Sequence, residues 1–290
     1  MMMMLECTFL VLAHVPAHLS APPQDGRRIE VRDRYVALAA AGDAEGLRAL
    51  WLENRDLILV TLDSDLEESL ALWEAAPEDP PAAAIEALER RALAAAEAAS
   101  AATGHPIFAD YAASFVGWDE QQRRLFRAGQ AVYRRALREL EDGNYEVALE
   151  AGRETRERAQ PLGDWWGVAM GWAAEARALQ GAGHLERALA AYGTARLHYH
   201  DLGLLWGELE NLRHMLDLLR ALERWPRARV AAEAALAIAR RYENADDVRE
   251  LLRARALVER RLGLEAEAAA TEAEARALGG SGDESDDERR

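Results

Sequence analysis

The 290-residue chain carries 51 acidic against 35 basic side chains, a net charge of −16; a field of that sign repels a phosphate backbone and disfavours nucleic acid as a partner. Half of the residues are hydrophobic but only 7% are aromatic, and Ala leads, followed by Leu, Glu and Arg, which is a helix-former's inventory with no alternating β-branched run to read as a strand. With Cys7 the one cysteine, an intrachain disulfide and a Cys-ligated zinc are excluded, and no stretch approaches the roughly 20 apolar residues that span a membrane.

Residues 1–28 read as a leader. Positions 7–13 are apolar, and Val15, Pro16 and Ala17 resemble a small-residue cleavage site, as in a weak secretory signal. The basic n-region is missing and His14 interrupts the apolar run, so a disordered leader or misassigned start is preferred and the expected location is cytoplasmic. After the breakers Pro22, Pro23 and Gly26, helical patterning begins near Ile29 and turns at Gly42 and Asp43. The stretch 57–75 predicts two helices or one kinked helix, with Asp63 or Ser64 able to cap the second. Pro77, Pro80 and Pro81 break it, and Pro81 suits the first turn of an Ala-rich helix ending before Gly104. Short amphipathic turns follow over 108–115. These hairpins, 29–118, show only a faint repeat in Gly42, Leu47 and Trp51.

From Asp119, a good N-cap, the chain is periodic. Gly143, Gly183, Glu223 and Gly263 are spaced by 40 residues, as are Ala148, Ala188, Ala228 and Ala268. Val132, Trp172, Leu212 and Leu252 share a column, and so do Ala136, Ala176, Leu216 and Ala256. The preceding turn recurs too, Gly163, Trp166 and Gly167 being matched by Gly203, Trp206 and Gly207. Antiparallel helices approach closely only where a side chain is small, so the Ala columns mark crossings and the Gly column marks turns. Pro226 fits the first position of a helix. The unit covers 119–278; the tail 279–290, Gly-, Ser- and acid-rich with no apolar residue, is expected to be disordered.

These columns resemble the tetratricopeptide repeat, best in Trp172, Ala176, Leu179, Gly183, Leu185, Ala188, Tyr192 and Ala195. The 40-residue unit is similar to the long-repeat subclass of bacterial regulators, whereas Leu216 and Glu223 depart from the family's small and Gly positions. The resemblance implies an all-α, right-handed α-solenoid of antiparallel hairpins whose first helices line a concave groove for a protein or peptide. The expected function is a non-catalytic scaffold or regulatory protein. The alternative is a sensor or accessory subunit of a bacterial signalling system with its effector domain on another chain.

In that geometry Tyr133, Arg177, Arg213, Arg220, Arg253 and Arg260 face the groove. Their guanidinium groups favour a carboxylate-rich or phosphorylated peptide, so the expected partner is acidic. The bland reading is a solvated helix face with Arg213 paired to Asp217 at i, i+4. Trp165, Trp166 and Trp206 either anchor a partner or staple the turns to a neighbouring hairpin. His198, His200 and His214 lack the spacing of a metal set, since residues two apart leave a helix on different sides. No catalytic motif occurs in its required context, so no enzyme activity, cofactor or metal is expected. Weakly capped end repeats leave self-association as a further expectation.

Overall fold

The structure, a computed structural model, describes residues 24–242 and 245–278. The leader, apart from its last residues, and the acidic tail therefore lie outside the described residues. Thirteen helices, with no strand among the described residues, follow one another: α1 (Gln24–Ala41), α2 (Ala44–Glu53), α3 (Ile58–Ala75), α4 (Ala82–Thr103), α5 (Ile107–Val116), α6 (Glu120–Glu141), α7 (Tyr145–Ala159), α8 (Trp165–Gly181), α9 (Leu185–Asp201), α10 (Leu205–Ala221), α11 (Trp225–Arg241), α12 (Ala245–Arg261) and α13 (Glu265–Ala277). None of the described helices is long and apolar enough to cross a membrane.

The molecule is an α-solenoid whose helices pack chiefly on their neighbours in the chain. Its array is four hairpins, α6/α7, α8/α9, α10/α11 and α12/α13. At each hairpin turn the residue in the glycine column adopts a left-handed conformation: φ is 76° at Gly143, 78° at Gly183, 75° at Gly263 and 56° at Glu223. The next residue closes the turn by donating its N–H to a carbonyl five residues back, as Asn144 does to Glu139 and Arg224 to Leu219, satisfying carbonyls the helix end leaves open. Glu223 adopts this conformation against the preference of an L side chain, a cost of about 1 kcal/mol. The crossing alanines Ala148, Ala188, Ala228 and Ala268 are all at most 1% exposed, as are Ala136, Ala176 and Ala256. Helices α7 and α8 approach closely, and a Cβ on Gly171 would lie 2.9 Å from the Gly152 carbonyl oxygen.

The helix starts show which sequence signals were used. Asp119 caps α6 by accepting from Gln122 N at 2.8 Å, and the Gln122 side chain returns a bond to the Asp119 N–H, a reciprocal capping box. Pro226 sits in the first turn of α11. The helix α1 begins at Gln24, directly after Pro22 and Pro23, rather than at Ile29. Of the two readings of the stretch 57–75, the single helix is the one observed: α3, preceded by a 3-10 turn at Arg55–Leu57. Neither proposed cap acts there: Ser64 Oγ bonds back to the Thr61 carbonyl, and Asp63 accepts from Tyr111.

In the first five helices, α4 packs on α1, α2, α3 and α5. Its small face, Ala92, Ala95, Ala96 and Ala99, lets Trp51 and Leu66 close over it, and Trp51 Nε1 donates to the Ala95 carbonyl at 3.1 Å. At the centre the fully buried Asp65 accepts a bidentate pair from Arg91, at 2.6 and 2.6 Å, and a bond from the Tyr35 hydroxyl. The α1–α2 turn has the build of the joint between repeats rather than of the turn inside one. Asp43 accepts from Gly46 N as Asp164 accepts from Gly167 N, both at 2.8 Å, and Gly42, Leu47 and Trp51 keep the spacing of Gly163, Val168 and Trp172.

These helices share one core with the joints of the array: Leu162, Ala169, Tyr199, Leu202 and Leu204 join the cluster of Tyr35, Trp51 and Phe108. Trp118 Nε1 donates to the Leu162 carbonyl at 2.9 Å. A Cβ on Gly203 would lie 2.9 Å from the Arg55 carbonyl oxygen, so the α9–α10 joint rests against the turn before α3. At the other end of α3, Glu67 and Glu74 hold Arg127 of α6 at 2.6 and 2.8 Å.

Candidate protein-binding face

On each first helix of the array the repeating Ala and Leu columns turn toward the second helix, and the positions one residue further on lie beside them. Tyr133 of α6 and Arg177 of α8 occupy such positions, and Glu210 and His214 of α10 lie three residues from them in the 40-residue register, on the same helix face. The groups act on one another. Burial, together with the Glu210 charge, pushes the Tyr133 phenol up to about 12, and Arg177 opposes the shift. Burial likewise holds the Tyr199 phenol well above its ordinary range, with Tyr133, Glu210 and Arg177 all in electrostatic reach. His214 is pushed down to about 4 by burial and by the charges of Arg177 and Arg213, so at neutral pH it is an uncharged ring, stacked on Tyr192 with centroids 4.7 Å apart.

Arg177, half-buried, makes no ion pair or hydrogen bond among the described residues, and neither do the hydroxyls of Tyr133 and Tyr199. Tyr199 is only 3% exposed. A guanidinium and phenols delivered by α6, α8 and α9 thus lie within electrostatic reach of one another and of Glu210, and none of their donors bonds a described residue. Gly207 makes this possible, because a Cβ there would stand 2.3 Å from the Tyr199 ring. Chemically the cluster offers an acceptor-rich group, such as a carboxylate, several donors in a partly desolvated setting.

The other arginines expected on this face are placed differently. Arg213 bonds Asp247 at 2.8 Å and approaches Glu250 at 3.4 Å, both on the next first helix, and not Asp217. Asp217 instead takes Arg220 at 3.2 Å. Arg260 pairs with Glu272 across its hairpin. Arg253 is exposed and makes no ion pair among the described residues. Carboxylates of the chain itself thus occupy most of the supposed wall.

The tryptophans are half-buried against the core shared with α1–α5. Trp165 stacks on His198 at 6.3 Å and Trp206 leans on Tyr199 at 5.4 Å, while the buried Trp166 indole N–H has no partner among the described residues. The histidines go separate ways: His198 lies against Trp165, His200 Nδ1 is 2.9 Å from Glu208, and His214 lies on Tyr192. No group of His, Cys, Asp and Glu able to hold a metal ion occurs among the described residues.

Sequence reasoning missed Tyr199. Its signal was a large residue in an otherwise small column, Ala159, Tyr199, Ala239. A second cluster it missed joins α3, α5, α6 and the α8 cap: the Tyr111 hydroxyl donates to Asp63 at 2.6 Å, and Glu67 takes Arg127 and Gln130. Burial and the Glu67 charge push Asp63 up, and burial pushes Asp164 up to about 7. In comparisons with known proteins, the chain matches no family model and no curated protein.

Proposed function

We propose that the protein is a non-catalytic binding scaffold that receives an extended segment of another protein on the face built by its first helices, and that an acidic side chain of that segment seats at Arg177. The observation that carries this reading is that Arg177, Tyr133 and Tyr199 lie within electrostatic reach of one another and none of their donors bonds a described residue. A segment laid over these donors takes them out of water and must supply acceptors in exchange, and a carboxylate does so for a guanidinium in bidentate fashion. The hairpin architecture and the resemblance of the 40-residue unit to tetratricopeptide repeats support the same reading, since stacked repeats present extended surfaces of this kind.

Selection from a random displayed-peptide library tests it. The parent protein should enrich peptides with a fixed Asp or Glu, and the Arg177→Met variant, which keeps the length of the side chain, should not. Enrichment of the same peptides by both proteins would remove the assignment.

A further inference from the structure

A groove of about 410 Å³ opens elsewhere, between the second helices α7 and α9 with α8 as its floor. Its charged lining is Arg153 and Arg156 from α7, Arg187 from α9, and Glu175 from α8. The Glu175 side chain is 5% exposed and is bound from two sides: Arg156 Nε donates to Oε1 at 3.0 Å, and Arg153 Nε stands 3.5 Å from Oε2. Both arginines meet Glu175 through Nε, and their terminal amino groups make no hydrogen bond among the described residues. Arg156 also stands over Trp172, its guanidinium carbon 4.2 Å from the ring centroid, a cation–π contact that helps hold the fork. Arg187 is exposed and has no ion pair among the described residues.

The lining therefore holds three cations against one carboxylate, in a chain whose overall charge is −16. Glu175 orients two forks without using up their ends. A carboxylate ligand has two oxygens and is satisfied by one arginine, whereas three forks around one opening match an anion with at least three acceptor oxygens and close to two charges. We propose that this outer groove is a binding site for a phosphate monoester, with Arg153, Arg156 and Arg187 as its ligands and Glu175 and Trp172 as positioning residues. The site does not depend on the face around Arg177.

Calorimetric titration of the full chain tests this, using the peptide acetyl-Gly-Ala-phosphoserine-Ala-Gly-amide, its serine and glutamate counterparts, and inorganic phosphate. The phosphopeptide should bind at least tenfold more tightly than either counterpart. Arg187→Glu should weaken it at least tenfold with the helical circular dichroism unchanged, since Arg187 holds nothing in place, and Arg177→Met should leave it as it was. Inorganic phosphate bound as tightly as the phosphopeptide, and equally sensitive to Arg187→Glu, would make the free anion the source of the group and still place it here. Equal affinity for the serine or glutamate peptide, or binding indifferent to Arg187→Glu, would overturn the proposal.

Discussion

In α6–α13 the crossing of each hairpin is an alanine, with Ala148, Ala188, Ala228 and Ala268 all at 0 or 1% exposure, whereas α1–α5 add to their own alanine face a fully buried carboxylate at the centre, Asp65, held by Arg91 and Tyr35. The crossings of the array are specified by shape, and the paired carboxylates it buries, Glu175, Glu208 and Glu259, stand beside them. One small residue recurs wherever two helices must touch, so the same contact is written four times. The centre of the N-terminal helices is specified by pairing, because Asp65 must meet Arg91 and Tyr35 together at one place. A shape code tolerates drift, as Leu216 and Glu223 show, while a pairing code does not: removing one side of a buried ion pair leaves the other without compensation.

That contrast can be broken at its most expensive point first. Asp65→Ala strips Arg91 and Tyr35 of their acceptor and should cost about 3 kcal/mol, the low end for a buried pair because Arg91 keeps some access to water. Urea denaturation should show the loss, and a change under 1 kcal/mol would mean that packing rather than pairing holds α1–α5. Ala188→Leu overfills a crossing of the array and should cost roughly 1 to 3 kcal/mol by the same measurement; if the array were loosely packed, the extra methyl groups would fit without loss. Glu223→Gly relieves the left-handed strain at the third turn and should raise stability by about 1 kcal/mol. Unchanged stability would show that the other glycines of the column stand there for some other reason.

The smallest effect depends on pH and sharpens the comparison where the two regions meet. In the unfolded chain Asp63 ionises near 4, but in the folded chain burial and Glu67 keep its proton on up to about 8. The folded state then binds more protons than the unfolded state across that window, so stability falls as pH rises through it and levels off above. Glu67 and Glu74 on α3, Tyr111 on α5, Arg127 on α6 and Asp164 at the start of α8 are the groups that face this joint. Asp63→Asn keeps an acceptor for Tyr111 and cannot ionise, so its melting temperature relative to the parent should climb from pH 5 to pH 8 and then stay level. A difference constant with pH would show that Asp63 is ionised in the fold.

The difference between the two codes also decides what could be read in advance. Turns and crossings of the array were legible because Gly143, Gly183 and Gly263 need a left-handed backbone and the alanine columns need close approach, and both demands act locally on residue type. Asp119 as a cap was legible for the same reason. The partner of Arg213 was not: within its own helix Asp217 is the natural choice, but stacking brings Asp247 of the next repeat to 2.8 Å. Nor could spacing announce that Glu175 would hold two arginines of α7, or that Tyr111 and Asp63, 48 residues apart, would meet. Contacts between elements depend on how the units dock, and no period encodes that. Of the expected binding face, Tyr133 and Arg177 were named from register alone, while Tyr199 and Glu210 join them only through the crossing of α9 and α10.

The central claim is that Arg177 receives a partner's carboxylate, and a double-mutant cycle measures it directly. With a peptide from the selection, the affinities of the parent and of Arg177→Met are compared for the peptide's Asp form and its Asn form. The account predicts that Asp→Asn weakens binding to the parent at least tenfold and has almost no effect on the variant, the two changes removing one interaction. Independent, additive losses would contradict it, because the carboxylate would then be bound somewhere else.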